Sequence, residues 1–347
     1  MDSQSLDKEF IKVTQDFRDY LKSIKEKFDE FDSRNLEEKK QMHFVDSEKE
    51  EIFRKLDAYF HRTWEIVKNF DKGNYKFHQH YYQRMLDYFL IDPIEINRHI
   101  RQKPRGYSGD FEVMNYIYDY YKDRYLGNSS FEKLINNYTC GIPISRSNIK
   151  RKEFLKEKIT ETMRQTDQAK ILSVACGPTR ELLELLREGK INKQVFFKCL
   201  DFEKKALDYI KNEIDKIDWE KKRFLSSEYI CRDITSIIRH KELKESLKDQ
   251  DLIYAFGIFD YLSERMALRL SKELYQLLRK GGNLIICNAS LKNSSHRPYY
   301  ELIGEWNMVY RNEEEMLSWM EGIGDISQIK FEQSSSSNKY LFFSIKK

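Results

Sequence analysis

The apolar positions near the start of the chain fall mostly three and four residues apart: Leu6, Phe10, Val13, Phe17, Tyr20, Leu21, Ile24, Phe28 and Phe31. That spacing lines one face of a helix and predicts an amphipathic helix over residues 5–31. A polar stretch follows at 33–41. Ser47-Glu48-Lys49-Glu50 then reads as a capping box opening a second helix, which carries Ile52, Phe53, Leu56, Phe60, Trp64, Val67 and Phe70. Gly73-Asn74 is expected to break it; a third helix runs from about Phe77 to Leu90, and Asp92-Pro93 ends that one. The pattern suits a lid or substrate domain and suits equally a bundle that packs two copies of the chain into a homodimer.

Beyond residue 165 the apolar runs become short. Ile171–Ala175, Val195–Leu200, Phe224–Cys231, Asp251–Phe256 and Asn283–Ala289 alternate with helical segments, the longest from about Glu264 to Arg279. Strands alternating with helices predict an α/β fold on a parallel sheet. The tail alternates over 326–332 and 340–345, reading as the sixth and seventh strands with a hairpin turn at 334–338. A helix at Lys150–Gln165 leads into the first strand, joined to the helical half through residues 140–148. Trp306, Tyr310 and Arg311 in EWNMVYR read as helical, with the two aromatics on one face.

Two stretches carry chemistry. ILSVACGPTRELLELL (171–186) is strand, tight turn and helix, which brings backbone N–H groups and a helix N-terminus to the C-terminal edge of the sheet. Gly177 allows a ligand close to the backbone. Asp201 ends the second strand 24 residues after Gly177, where a carboxylate can accept ribose hydroxyls. The third strand ends at Arg232-Asp233-Ile234 and the fourth runs through Phe256 into Gly257. In the helical half, Lys103–Phe111 (KPRGYSGDF) interrupts the pattern before a helix that opens near Asp110. Asp110 is either the cap of that helix or part of a site.

VACGPTRE, CLD, RDI and KGGNLII resemble the class I S-adenosylmethionine (SAM) dependent methyltransferases, over roughly the last half of the chain. In place of the family's acidic residue at the end of the first strand stand Ala175 and Cys176. KPRGYSGDFEVMNYIY, SRSNIKRKEFL, FGIFDYLSERMALRL and EWNMVYR resemble the bacterial subgroup described as 3-hydroxypalmitate methyl ester synthases, and the architecture is similar to that of enzymes that cyclise SAM to azetidine-2-carboxylate. The resemblance implies an α/β, Rossmann-like class I methyltransferase fold with a seven-stranded sheet (149–347) and an N-terminal all-helical lid (1–148). It implies S-adenosyl-L-methionine as cofactor, bound by Ala175, Gly177, Asp201, Asp233, Ile234, Phe256 and Gly257. The acceptor implied is a small-molecule carboxylate such as a 3-hydroxy fatty acid, held by Arg105 or Arg146 with Asp110 and Tyr118. For cyclisation of SAM, whose own deprotonated amine must face its Cγ, Tyr107, Asn148 and Tyr261 are expected to aid by hydrogen bonding or cation–π contact to the sulfonium. His296 is the candidate base for an alcohol or amine acceptor. SAM cyclisation and a SAM-sensing module without turnover are the alternatives; an NAD-binding dehydrogenase is disfavoured by the missing GxGxxG and by Pro178.

Composition adds exclusions. A net charge of +4 over 347 residues gives no argument for nucleic-acid binding, which would need a clustered basic face. Scarce Gly (13) and Pro (5) with 34% charged residues favour long helices. Five scattered cysteines without CxxC spacing read as reduced thiols, and the chain shows no signal peptide and no apolar run of membrane-spanning length, so a soluble cytoplasmic protein is expected. His78 and His80 point to different helix faces, and no metal site is expected from them.

Overall fold

The computed structural model describes residues 5–119, 125–292, 296–323, 328–332 and 339–347. The turn expected at 334–338, and residues 326–327 of the sixth strand, lie outside them. The chain folds as two compact units, Met1–Arg146 with Asn293–Asn307, and Ser147–Lys292 with Met308–Lys347.

The first unit is helical: α1 (Lys8–Asp32), α2 (Glu38–Val67), α3 (Lys72–Leu90), α4 (Glu95–Gln102), α5 (Phe111–Tyr118) and α6 (Ser130–Gly141). Phe10, Val13, Phe17, Leu21, Ile24 and Phe28 form the buried stripe of α1, as the periodicity requires. The start expected for α2 at Ser47 is corrected. Ser47 lies inside the helix with its hydroxyl on the Phe44 carbonyl, and the helix begins at Glu38. Packing explains the extension, since Val45 is fully buried and the Phe44 ring stacks on Phe31 at 3.9 Å. Gly73 and Asn74 likewise lie within α3 and do not break a helix, because Asp71 caps that end by accepting both their N–H groups. Residues Pro298–Ile303 add a turn of π-helix, whose Tyr299 hydroxyl sits 2.5 Å from Thr139 Oγ1 and accepts from Asn97 Nδ2 at 2.8 Å.

α7 (Pro143–Gln165) runs from the end of the first unit into the second. It starts earlier than the Lys150 expected, with Pro143 at a position that needs no N–H. Then follow β1 (Gln168–Val174), α8 (Arg180–Arg187), β2 (Gln194–Asp201), α9 (Lys204–Asp215), β3 (Leu225–Cys231), β4 (Gln250–Ala255), α10 (Glu264–Leu277), β5 (Leu278–Ala289), α11 (Glu313–Ser318), β6 (Lys330–Glu332) and β7 (Tyr340–Lys346). The sheet order is β3-β2-β1-β4-β5-β7-β6. β1 to β5 are parallel, and β7 is antiparallel to β5 and β6. This is the class I methyltransferase fold. Alternation along the strands feeds two cores. Leu172, Val174 and Ile253 pack with Ala267, Leu270 and Leu274 of α10, while Ile171, Phe197 and Tyr254 pack with α7, α8 and α9.

The helix expected at EWNMVYR is corrected. Residues 305–310 have no regular structure, and Arg311 bridges Ser290 beside the end of β5. Backbone bonds from Val309 N–H to Asp260 O (2.7 Å) and from Arg311 N–H to Ala289 O (3.0 Å) hold the segment extended. Among the described residues no helix is long and apolar enough to cross a membrane.

Candidate functional site

The turn after β1 departs from ordinary backbone at three positions: Ala175 (φ +51°), Gly177 (φ +51°) and Thr179 (φ +46°). Such angles cost an L-residue with a side chain, and glycine much less. A Cβ built on Gly177 would meet nothing within 4 Å, so the glycine faces open space. The turn is tied to β2 by Cys176 N–H on the Leu200 carbonyl (3.2 Å) and by Gly177 N–H on Asp201 Oδ2 (2.9 Å). The other oxygen of Asp201 accepts from Glu203 N–H at 2.9 Å, just before α9. Asp201 therefore clamps the β1 turn to the start of α9. Burial pushes its pKa up, opposed by the N–H groups of Glu203, Gly177 and Phe202. A carboxylate has about four acceptor positions, so this clamp leaves capacity for a further donor. Beside it the Phe202 ring is 53% exposed, a large apolar face at the C-terminal edge of the sheet.

Asp233 follows β3 and caps the helical turn Thr235–Arg239, accepting the Thr235 N–H at 2.8 Å and also its hydroxyl. Those bonds hold its carboxyl below the usual range. Ile234 packs, partly buried, against the sheet core. Phe256 and Gly257 (φ +81°) follow β4. Burial pushes the Cys176 thiol well up, so it rests as a neutral thiol.

Sequence reasoning missed Arg151. It stands on α7 in line with buried Asn148, Leu155 and Ile159, and is only 6% exposed. Its guanidinium lies 5.8 Å from the Phe256 ring and 5.2 Å from the Tyr340 ring. The legible signal was a cation on the apolar face of a helix. Arg146, by contrast, is exposed, because i and i+2 on a helix point to different sides and Asn148 takes the buried one. Tyr261, in a 3-10 turn after β4, is 39% exposed.

Below this edge a second arginine organises the strand ends. Arg311, fully buried, donates to Glu264 Oε1 (2.5 Å), Asn288 Oδ1 (2.7 Å) and the carbonyls of Phe259 (2.8 Å) and Leu262 (2.6 Å). Asp260 accepts the Ala289 N–H at 2.6 Å, and burial raises its carboxyl to about 6 against the pull of that bond, Arg151 and Arg311.

In the helical unit the RGYSGD loop closes on itself. Asp110, fully buried, caps α5 through Glu112 N–H (3.0 Å) and Val113 N–H (3.1 Å), and its other oxygen lies 2.7 Å from His99 Nε2. Arg105 binds Glu112 and approaches Asp110 at 3.8 Å. His99, Asp110 and Glu112 bring ligand-type atoms within 4.8 Å of one another, a grouping no sequence spacing announced. The Arg105 guanidinium supplies positive charge at both carboxylates there. A Cβ on Gly109 would come within 2.5 Å of Trp306 Cζ2, which is why the loop needs that glycine. Tyr107 is half-buried, as is Tyr118 at the end of α5. His296 is not a solvated loop residue: it is buried, 3.0 Å from Asp57 Oδ1. Burial raises the Asp57 carboxyl, but hydrogen bonds with His296 and Tyr138 bring it below its ordinary value.

No family model matches the chain, and no curated protein matches it in sequence. Among solved structures, a possible exported protein from Bordetella parapertussis is similar over 85% of this chain and 95% of its own, at 14% identity and a TM-score of 0.51. The methyltransferase domain of bacterial CtHen1 matches at 16% identity over 58% of this chain and 99% of its own, TM-score 0.41. The N-methyltransferase NodS from Bradyrhizobium japonicum, in complex with S-adenosyl-L-homocysteine, matches at 13% identity over 59% and 87%, TM-score 0.38. Overlaps of the last two kinds carry no weight for function, and at 14% identity the first speaks for the fold alone.

Proposed function

We propose that the sheet unit binds SAM and that the protein is a SAM-dependent methyltransferase acting on a small-molecule carboxylate such as a 3-hydroxy fatty acid. The carrying observation is the turn after β1, with Gly177 open to a ligand and its N–H clamped by Asp201, at the C-terminal edge of a sheet in class I order. In this reading Asp201 has capacity left for the ribose, Phe202 and Ile234 offer apolar surface to the base, and Phe256 and Gly257 border the methionine end. SAM supplies the methyl group: an oxygen lone pair of the acceptor forms the new O–C bond as the C–S bond breaks. A carboxylate is already ionised at pH 7, so positioning contributes more than a base. Asn148 and Tyr261 of the sheet unit are the residues proposed to orient the sulfonium.

A second reading is favoured by one feature. With Ala175 and Cys176 after β1, that position places no carboxylate on the ammonium group of SAM. Once that ammonium loses a proton, the amine can attack its own Cγ as the Cγ–S bond breaks, giving azetidine-2-carboxylate and methylthioadenosine. Incubation with SAM alone, followed by mass spectrometry, separates the two. Intact SAM, then S-adenosylhomocysteine and a methyl ester once 3-hydroxy fatty acids are added, supports methyl transfer. Methylthioadenosine and a four-membered amino acid from SAM alone support cyclisation. Binding without turnover of either kind identifies a sensor.

A further inference from the structure

We propose that Lys339 binds the carboxylate of an acceptor whose apolar tail lies on Tyr261, Leu291 and Val309; the choice of ligand rests on the reading of the acceptor as a carboxylate. Sheet polarity fixes the place. β5 is parallel to β4 and β7 is antiparallel to β5, so the end of β5 and the start of β7 meet at the C-terminal edge, where Ala289 pairs with Tyr340. β5 runs on from Ile286, the partner of Ala255 at the end of β4, as far as Ala289. This extension gathers three other segments. Val309 N–H donates to Asp260 O (2.7 Å), Leu291 N–H to Arg311 O (3.0 Å) and Ser290 N–H to Lys339 O (2.9 Å), while Asn288 Nδ2 donates to Val309 O (2.9 Å). Residues 260–261, 288–291, 309–311 and 339–340 therefore form one rim within the sheet unit.

That rim is amphiphilic. Leu291 is 49% exposed, Val309 41% and Tyr261 39%, on backbone held by the bonds above. Large apolar side chains gathered on one fixed edge are the kind of patch that a ligand covers. Lys339 belongs to the same rim and is half-buried, and among the described residues its ammonium group has no hydrogen-bond or ion-pair partner. Burial alone holds that ammonium below its usual range, with no carboxylate beside it to raise it again. An anion placed against a cation that has lost water without gaining a counter-ion is held strongly, because the pair is poorly screened. One cation beside apolar surface matches an anion with a hydrocarbon tail. A phosphate-rich ligand would call for several cations. Tyr261 links the rim to the proposed methyl donor, since the same ring is set against the sulfonium.

The test uses 3-hydroxydecanoate, its methyl ester and 3-hydroxybutyrate, each below its micelle-forming concentration. They are titrated by calorimetry, with excess S-adenosylhomocysteine present, into the full-length protein and into Lys339→Met and Lys339→Arg. Thermal melting is the control for folding, and both variants keep the backbone carbonyl that Ser290 N–H uses. The wild type should bind 3-hydroxydecanoate about tenfold or more tighter than either of the other probes. Lys339→Met should lose about tenfold or more for the acid and stay within about twofold for the ester, with a smaller loss for the acid in Lys339→Arg. Equal binding of acid and ester by the wild type, equal loss of both in Lys339→Met, or no binding of the acid would overturn the proposal. Methyl-ester formation from SAM is then read on the same proteins. A raised KM for the acid with kcat unchanged in Lys339→Met supports the assignment. An unchanged KM removes Lys339 and leaves methyl transfer standing, whereas acid binding that depends on Lys339 without ester formation supports the site and removes methyl transfer.

Discussion

Gly177 separates two effects that a single substitution usually mixes. Its φ of +51° penalises any side chain, yet an added methyl would meet no protein atom within 4 Å. Gly177→Ala should therefore fold, losing about 1 kcal/mol from backbone strain. Its S-adenosylhomocysteine affinity should fall by more than tenfold, because the methyl stands in the space reserved for ligand. Denaturant unfolding and calorimetry read the two quantities separately, and unchanged affinity would place the ligand elsewhere. Asp260 makes a different prediction. Its folded carboxyl titrates near 6, above the unfolded value of about 3.9. The native state thus holds a proton that the unfolded chain releases, so this group's stabilising contribution is complete below pH 4 and is lost as pH rises to about 6. Asp260→Asn keeps an acceptor for Ala289 N–H but cannot titrate. The stability difference between wild type and variant should shift in the variant's favour between pH 4 and pH 6; a constant difference would show that Asp260 does not titrate there.

At the scale of elements, Arg311 ties the segment after the π-helix to the ends of β4 and β5. Arg311→Met leaves Asn288 Oδ1 and two carbonyls without their donor and Glu264 with Trp319 Nε1 alone, and should cost about 3–5 kcal/mol by denaturant unfolding. A cost under about 1 kcal/mol would mean that water replaces the guanidinium. The same segment shows where pattern reading fails. Trp306 and Tyr310 have helical spacing, but Trp306 N–H bonds to Tyr300 O and Val309 N–H to Asp260 O, so distant partners override the local period. The strands were legible because alternation and short length leave few alternatives. The start of α2 was not, since Val45 and Phe44 extend it through packing on α1 that the capping pattern does not encode.

At the scale of the molecule, the parallel pairing of β1 to β5 follows from alternating strands and helices, and the antiparallel β6–β7 pair from the tail's alternation; the order of the strands across the sheet does not. Assignment of residues 293–307 to the helical unit was invisible, because nothing in their composition marks a return to it. Gly177 and Asp201 could be found in the sequence because a turn and a strand end at fixed spacing impose them. Arg151 was hidden in the run Lys150-Arg151-Lys152, where only the phase of α7 tells a buried cation from solvated ones.

The most direct test of the SAM site is titration of S-adenosylhomocysteine into the full chain and into Asp201→Ala. The wild type should bind one equivalent, and affinity should fall at least tenfold in the variant, whose turn at Gly177 no longer has its clamp. No binding by the wild type, or equal affinity in the two proteins, would contradict it.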